Sequence, residues 1–70
     1  MDWVKIVGSN VRRLRKERGL SQEALAGEAG LAMRHLGRIE RGEGNPTVAI
    51  LGRMAEVLDV HPTAFYAEHP

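Results

Sequence analysis

Seventy residues with no cysteine and a formal net charge of +1 describe one small domain with neither a disulfide nor a thiolate metal site to stabilise it. No apolar run approaches the roughly 20 residues of a membrane-spanning helix, and the opening MDWVKIVG is too short and too weakly basic for a secretory signal. The charge is unevenly placed: residues 1–42 carry nine Lys/Arg against five acids and residues 43–70 one Arg against four, a basic half suited to phosphates beside an acidic half left for solvent or a partner.

No segment alternates with period two, and the apolar spacing is helical throughout, which predicts an all-α fold of five helices. The first covers residues 3–18, with Val4, Val7, Val11 and Leu14 on one buried stripe, and Gly19 supplies a left-handed stop. Ser21 caps a second helix over residues 22–29 that buries Leu25, Ala26 and Ala29. Gly30 turns the chain into a third helix over residues 32–41, closed by Gly42. Here Leu36 and Ile39 point inward while Met33, Arg34, His35 and Arg38 point outward. Ala32 stands where a capping side chain is expected, a deficit of about 1 kcal/mol. Gly37 costs the helix interior about another 1 kcal/mol relative to alanine. Residues 43–46 have turn chemistry. Thr47 caps a fourth helix over residues 48–58, with Val48, Leu51, Met54, Ala55 and Leu58 inward. Asp59 and Val60 break it, and Pro62 opens a fifth helix over residues 62–68 in which Phe65 plugs the core.

Residues 21–42 thus hold two short helices joined by a tight glycine turn, the second with a cationic outer face. That is the layout of a helix-turn-helix, whose second helix lies in the DNA major groove. Other chemistries find no support. His35 has no His or carboxylate at metal-ligand spacing, so no metal or cofactor is expected. Ser9 and Ser21 lack a His–carboxylate set, and no glycine loop follows a strand to cradle phosphate, so no catalytic residue is assigned.

The ordered series Leu14-Arg15, Gly19-Leu20-Ser21-Gln22, Leu25-Ala26, Gly30-Leu31, Leu36, Ile39-Glu40-Arg41-Gly42, Asn45-Pro46-Thr47 and Leu58-Asp59-Val60 resembles the Cro/C1-type (XRE-like) helix-turn-helix family of phage repressors, restriction–modification controller proteins and antitoxins. The resemblance runs from Val7 to Tyr66. It implies a compact five-helix bundle of the lambda repressor type and a single DNA-binding domain over residues 1–70. It also implies that Gln22 bonds a DNA phosphate, and that Arg15 and Glu40 form a structural pair tying helix one to helix three. The family further implies a homodimer on a pseudo-palindromic operator with half-sites roughly 34 Å apart.

On this reading Arg34 and Arg38, four residues apart, share one edge of the groove, where an arginine fork fits O6 and N7 of guanine. Met33 either touches a thymine methyl or fills a gap against helix two. His35 either reaches a base or phosphate or is a plain surface residue. Gly37, read as exposed, either admits a DNA backbone or marks a tolerant position. Phosphate contacts fall to Ser21, Gln22, Arg41, Asn45 and amides at helix starts. Arg12, Arg13 and Lys16 add long-range attraction or form a solvated face. The dimer surface is placed on helix five and its surroundings, with Tyr66, Trp3 and Ile6 as candidates, although Trp3 could instead seal the core beside Phe65. His61 stands where a small hydroxyl residue is frequent. The function expected is a cytoplasmic transcriptional regulator of bacterial or phage type that binds double-stranded DNA. The alternatives are an antitoxin whose acidic half clamps a toxin, and a protein-interaction adaptor that kept the bundle but lost DNA binding; the protein partner foreseen is a toxin or the transcription machinery.

Overall fold

The computed structural model describes residues 1–68, and among them every regular element is helical. Four α-helices follow in chain order: α1 (Trp3–Glu17), α2 (Gln22–Ala29), α3 (Met33–Glu40) and α4 (Val48–Leu58). A 3-10 turn, Pro62–Tyr66, comes last. The helix ends fall within a residue of the sequence reading except at this final element.

Each boundary has a local cause. Asp2 caps α1, its carboxylate accepting from the Lys5 amide at 3.2 Å. Ser21 caps α2 through the Ala24 amide, and Thr47 caps α4 through the Ile50 amide. Ala32 makes no such bond at the start of α3, so the first amides of that helix stay free. Gly30 sits at φ +74° between α2 and α3, a conformation costly for any side chain. The α2 end is closed by the Leu31 amide on the Ala26 carbonyl and by Arg53, whose Nε donates to the Ala29 carbonyl at 2.8 Å.

The core gathers Val7, Val11 and Leu14 of α1, Leu25, Ala26 and Ala29 of α2, Leu36 and Ile39 of α3, Leu51, Met54, Ala55 and Leu58 of α4, and Phe65. Burying such aliphatic and aromatic side chains contributes about 1.5–3 kcal/mol each. Contact between α1 and the end of α3 is backbone-close at Gly8, where a methyl group would fall on the Ile39 carbonyl. Gly27, by contrast, is exposed on α2 with open space around it. Gly27→Ala should therefore stabilise the domain by about 1 kcal/mol, a rise in Tm of about 4–8 °C for a chain of this size. Thermal unfolding by circular dichroism checks this, and an unchanged or lower Tm would contradict it.

Three readings of the elements need correction. The fifth element is a 3-10 turn that ends at Tyr66, with Ala67 already extended. The buried Asn10 side chain donates to the Phe65 carbonyl at 2.8 Å and to that of Ala67, just past the turn, at 2.6 Å, tying this last segment to α1. Val48 is 86% exposed rather than inward. It is the first residue of α4, and the buried stripe begins a turn later at Leu51. Gly37 is buried rather than exposed, for a reason that belongs to the site.

Candidate nucleic-acid interface

The side chains on the outer face of α3 are arranged by what lies behind them. Arg15, on the last turn of α1, donates through Nε and Nη2 to the two carboxylate oxygens of Glu40 at 2.7 and 3.0 Å, and its Nη1 donates to the Leu20 carbonyl at 2.8 Å. The fork is nearly fully enclosed, with side-chain exposures of 10% and 2%. The hydrogen bond to Glu40 and its charge hold the guanidinium above its ordinary pKa, against the opposing effect of burial. One bidentate pair thus fixes the end of α3 against α1 and against the approach to α2.

The same carboxylate carries a third bond. Gln22, first residue of α2, donates through Nε2 to Glu40 Oε1 at 3.0 Å. To reach it the amide crosses α3 at Gly37, where an added Cβ would lie 4.0 Å from both Gln22 amide atoms and 3.2 Å from Arg41 Nη1. Gly37 is covered by these two side chains, which explains its burial. The resemblance marked Gln22 and the Arg15–Glu40 pair separately; the structure joins them into one network, the Gln22 amide passing over Gly37 to reach Glu40.

In front of this network Arg34 and Arg38 are exposed, and neither makes an ion pair or side-chain hydrogen bond among the described residues. Met33 is 52% exposed at the start of the helix, which does not fit a gap-filler tucked against α2. His35 is half-buried at its side. Ser21 is exposed, but its hydroxyl oxygen is engaged as the α2 cap. Arg41 is exposed and pairs with Glu43 at 3.3 Å, an exposed pair of little energetic weight that a phosphate can displace. Asn45 is exposed; it lines a shallow groove with Trp3, Val4, Pro46, Leu51 and Tyr66, and it follows Gly44, whose amide donates to the Arg38 carbonyl at 3.1 Å. The structure brings Gln22, Met33, Arg34, Arg38 and Arg41 toward one surface, with Asn45 at the groove just beyond the end of α3.

The candidate dimer residues gather at that second place. The Trp3 and Tyr66 rings lie 6.0 Å apart at 55° and are about half exposed, and Ile6 is half-buried. Trp3 is 48% exposed and packs on Tyr66, whereas Phe65 is the aromatic residue buried in the core. Sequence reasoning missed Asn10. A polar residue amid the apolar positions of the first helix is a visible signal, but its partners lie 55 and 57 residues away.

With this geometry in hand, comparison with known proteins is decisive. A family model described as Helix-turn-helix matches residues 11–65. The chain belongs to the helix-turn-helix family, of the Cro/C1 type. It is a DNA-binding transcriptional regulator by that membership. The HTH-type transcriptional regulator y4dJ of Sinorhizobium fredii is 47% identical over 60 residues, covering 86% of this chain and 78% of y4dJ. Among solved structures, the restriction–modification controller protein C.AhdI from Aeromonas hydrophila superposes with a TM-score of 0.87 at 35% identity, covering 90% of this chain and 96% of that one. SinR, the master regulator for biofilm formation, in complex with DNA superposes with a TM-score of 0.82 at 35% identity, covering 87% and 98%. Some relatives are longer, and the chain spans only half of the SinR of Bacillus subtilis. No helix among the described residues is long and apolar enough to cross a membrane.

Proposed function

We propose that this regulator acts in the cytoplasm as a homodimer on a pseudo-palindromic operator, each protomer laying α3 in the major groove. The observation that carries this reading is the pair Arg34 and Arg38. They stand four residues apart on the outer face of α3 without a protein acceptor, while the cations behind them are engaged. An exposed guanidinium on a rigid helix is preorganised for the fork to guanine O6 and N7. Met33 adds an apolar contact suited to a thymine methyl, and His35 flanks it. Gln22 and Arg41 bind backbone phosphates on either side of Gly37, with Ser21 and the free amides at the starts of α2 and α3 nearby. The SinR complex with DNA supports the docking mode by likeness of fold. The half-exposed Trp3–Tyr66 pair, with Ile6 beneath, is the surface we assign to the second protomer, because contiguous exposed apolar area on a small domain marks an interaction site.

Selection of bound duplexes from a random pool tests the contact assignment. The parent should recover a two-fold related sequence. Arg34→Ala should relax preference at one base position, at a cost of about 1–3 kcal/mol for the lost bidentate contact. Gln22→Ala should weaken binding to all sequences alike. Variants that select and bind as the parent does would overturn the assignment.

A further inference from the structure

Half of the ten lysines and arginines of this chain are occupied within it. Arg13 pairs with Glu17, Arg15 with Glu40 and Arg41 with Glu43. Arg18 donates to the Leu58 carbonyl and Arg53 to that of Ala29. Besides Arg34 and Arg38, the cations without an ion pair or side-chain hydrogen bond among the described residues are Lys5, Arg12 and Lys16, all exposed and all on α1. Their spacings of seven and four residues put them on one face of the helix. The stripe spans about 16 Å, at 1.5 Å per residue.

Its position links it to the DNA-reading unit. Arg12 lies four residues from Gly8, which touches the end of α3, and three from Arg15, which grips Glu40. Lys5 packs over Gly42, just beyond α3. The stripe therefore runs along the edge of α1 that adjoins the end of α3 and, through Glu40 and Gln22, the start of α2. The acids of α1 do not interrupt it: Glu17 is paired with Arg13 on another face, and Asp2 caps the helix end.

We propose that Lys5, Arg12 and Lys16 form a second phosphate track that holds the DNA backbone outside the half-site read by α3. This rests on the DNA-binding reading and extends it beyond the groove. A row of unneutralised cations of this length matches several successive phosphates, which advance about 3.4 Å along the axis per strand. The track supplies affinity without base preference and draws the flanking duplex against the body of the protein.

The test uses the duplex recovered by selection, either ending at the half-site edges or extended by about ten base pairs on each side. Binding is followed by fluorescence anisotropy across a salt series, for the parent and for the combined variant Lys5→Gln, Arg12→Gln, Lys16→Gln. The parent should bind the extended duplex about tenfold or more tightly than the short one. Its log–log salt slope on the extended duplex should be steeper by about five, near 0.9 for each of three phosphates on each of the two flanks. The variant should bind both lengths alike, with the parent's preferred sequence and melting temperature, because glutamine keeps the Lys5 stem over Gly42 and none of the three side chains makes an ion pair or side-chain hydrogen bond among the described residues. A parent that gains nothing from the flanks, or a variant that keeps the whole gain, would overturn the proposal and leave the stripe to an acidic protein partner. A parent that binds no duplex of either length would instead remove the DNA reading beneath it.

Discussion

Glu40→Ala should destabilise the domain by about 3–5 kcal/mol, the cost of leaving an enclosed guanidinium without its carboxylate. The loss is large because three bonds end on Glu40, two from Arg15 and one from Gln22. A 70-residue chain with no disulfide has a modest margin to absorb it. Urea unfolding of parent and variant measures the change. A shift under 1 kcal/mol would show that the network is ornamental to the fold. The double variant Arg15→Met, Glu40→Leu separates removal of a partner from removal of the pair: apolar replacement of both should recover most of the stability. It should not recover DNA affinity, because Gln22 then has no acceptor to fix it over Gly37.

Asn10→Ala should cost about 1–3 kcal/mol, chiefly because the buried Phe65 carbonyl loses its partner, while the Ala67 carbonyl, on an exposed residue, can turn to water. The residue is 1% exposed and makes the sole described side-chain hydrogen bonds from α1 to the final turn. Because that turn carries both Phe65 and Tyr66, the variant should loosen the core plug and the aromatic pair with Trp3 together. Faster amide hydrogen exchange over residues 62–67, ahead of global unfolding, would report it. Exchange rates there equal to the parent's would contradict the assignment.

These two residues also mark where the sequence was legible. The first four helices could be read because their signals are local: Ser21 and Thr47 cap the residues that follow them, Gly30 turns where it stands, and Leu36 and Ile39 repeat at helical spacing. The exposed arginines of α3 could be placed for the same reason, since the two inward positions, Leu36 and Ile39, determine the outward ones. What stayed hidden depends on partners far along the chain. Asn10 meets carbonyls more than fifty residues away, at the end of the final turn and just past it. Gly37 looks exposed by periodicity, yet Gln22 from α2 closes over it together with Arg41 from the end of its own helix. Val48 fits the apolar repeat but falls at the helix edge, before the core begins. Family resemblance supplied Arg15, Glu40 and Gln22; neither resemblance nor spacing supplied the bond between Gln22 and Glu40.

The claim on which the account turns is that the outer face of α3 is the surface that meets DNA. Amide chemical shifts of isotope-labelled protein, followed as the selected duplex is added, address it directly. The account predicts the largest changes at residues 21–22 and 33–38, with small ones across the exposed side of α4 at residues 52–56. Largest changes on α4 or at Trp3 and Tyr66, with residues 33–38 unmoved at saturating duplex, would contradict it.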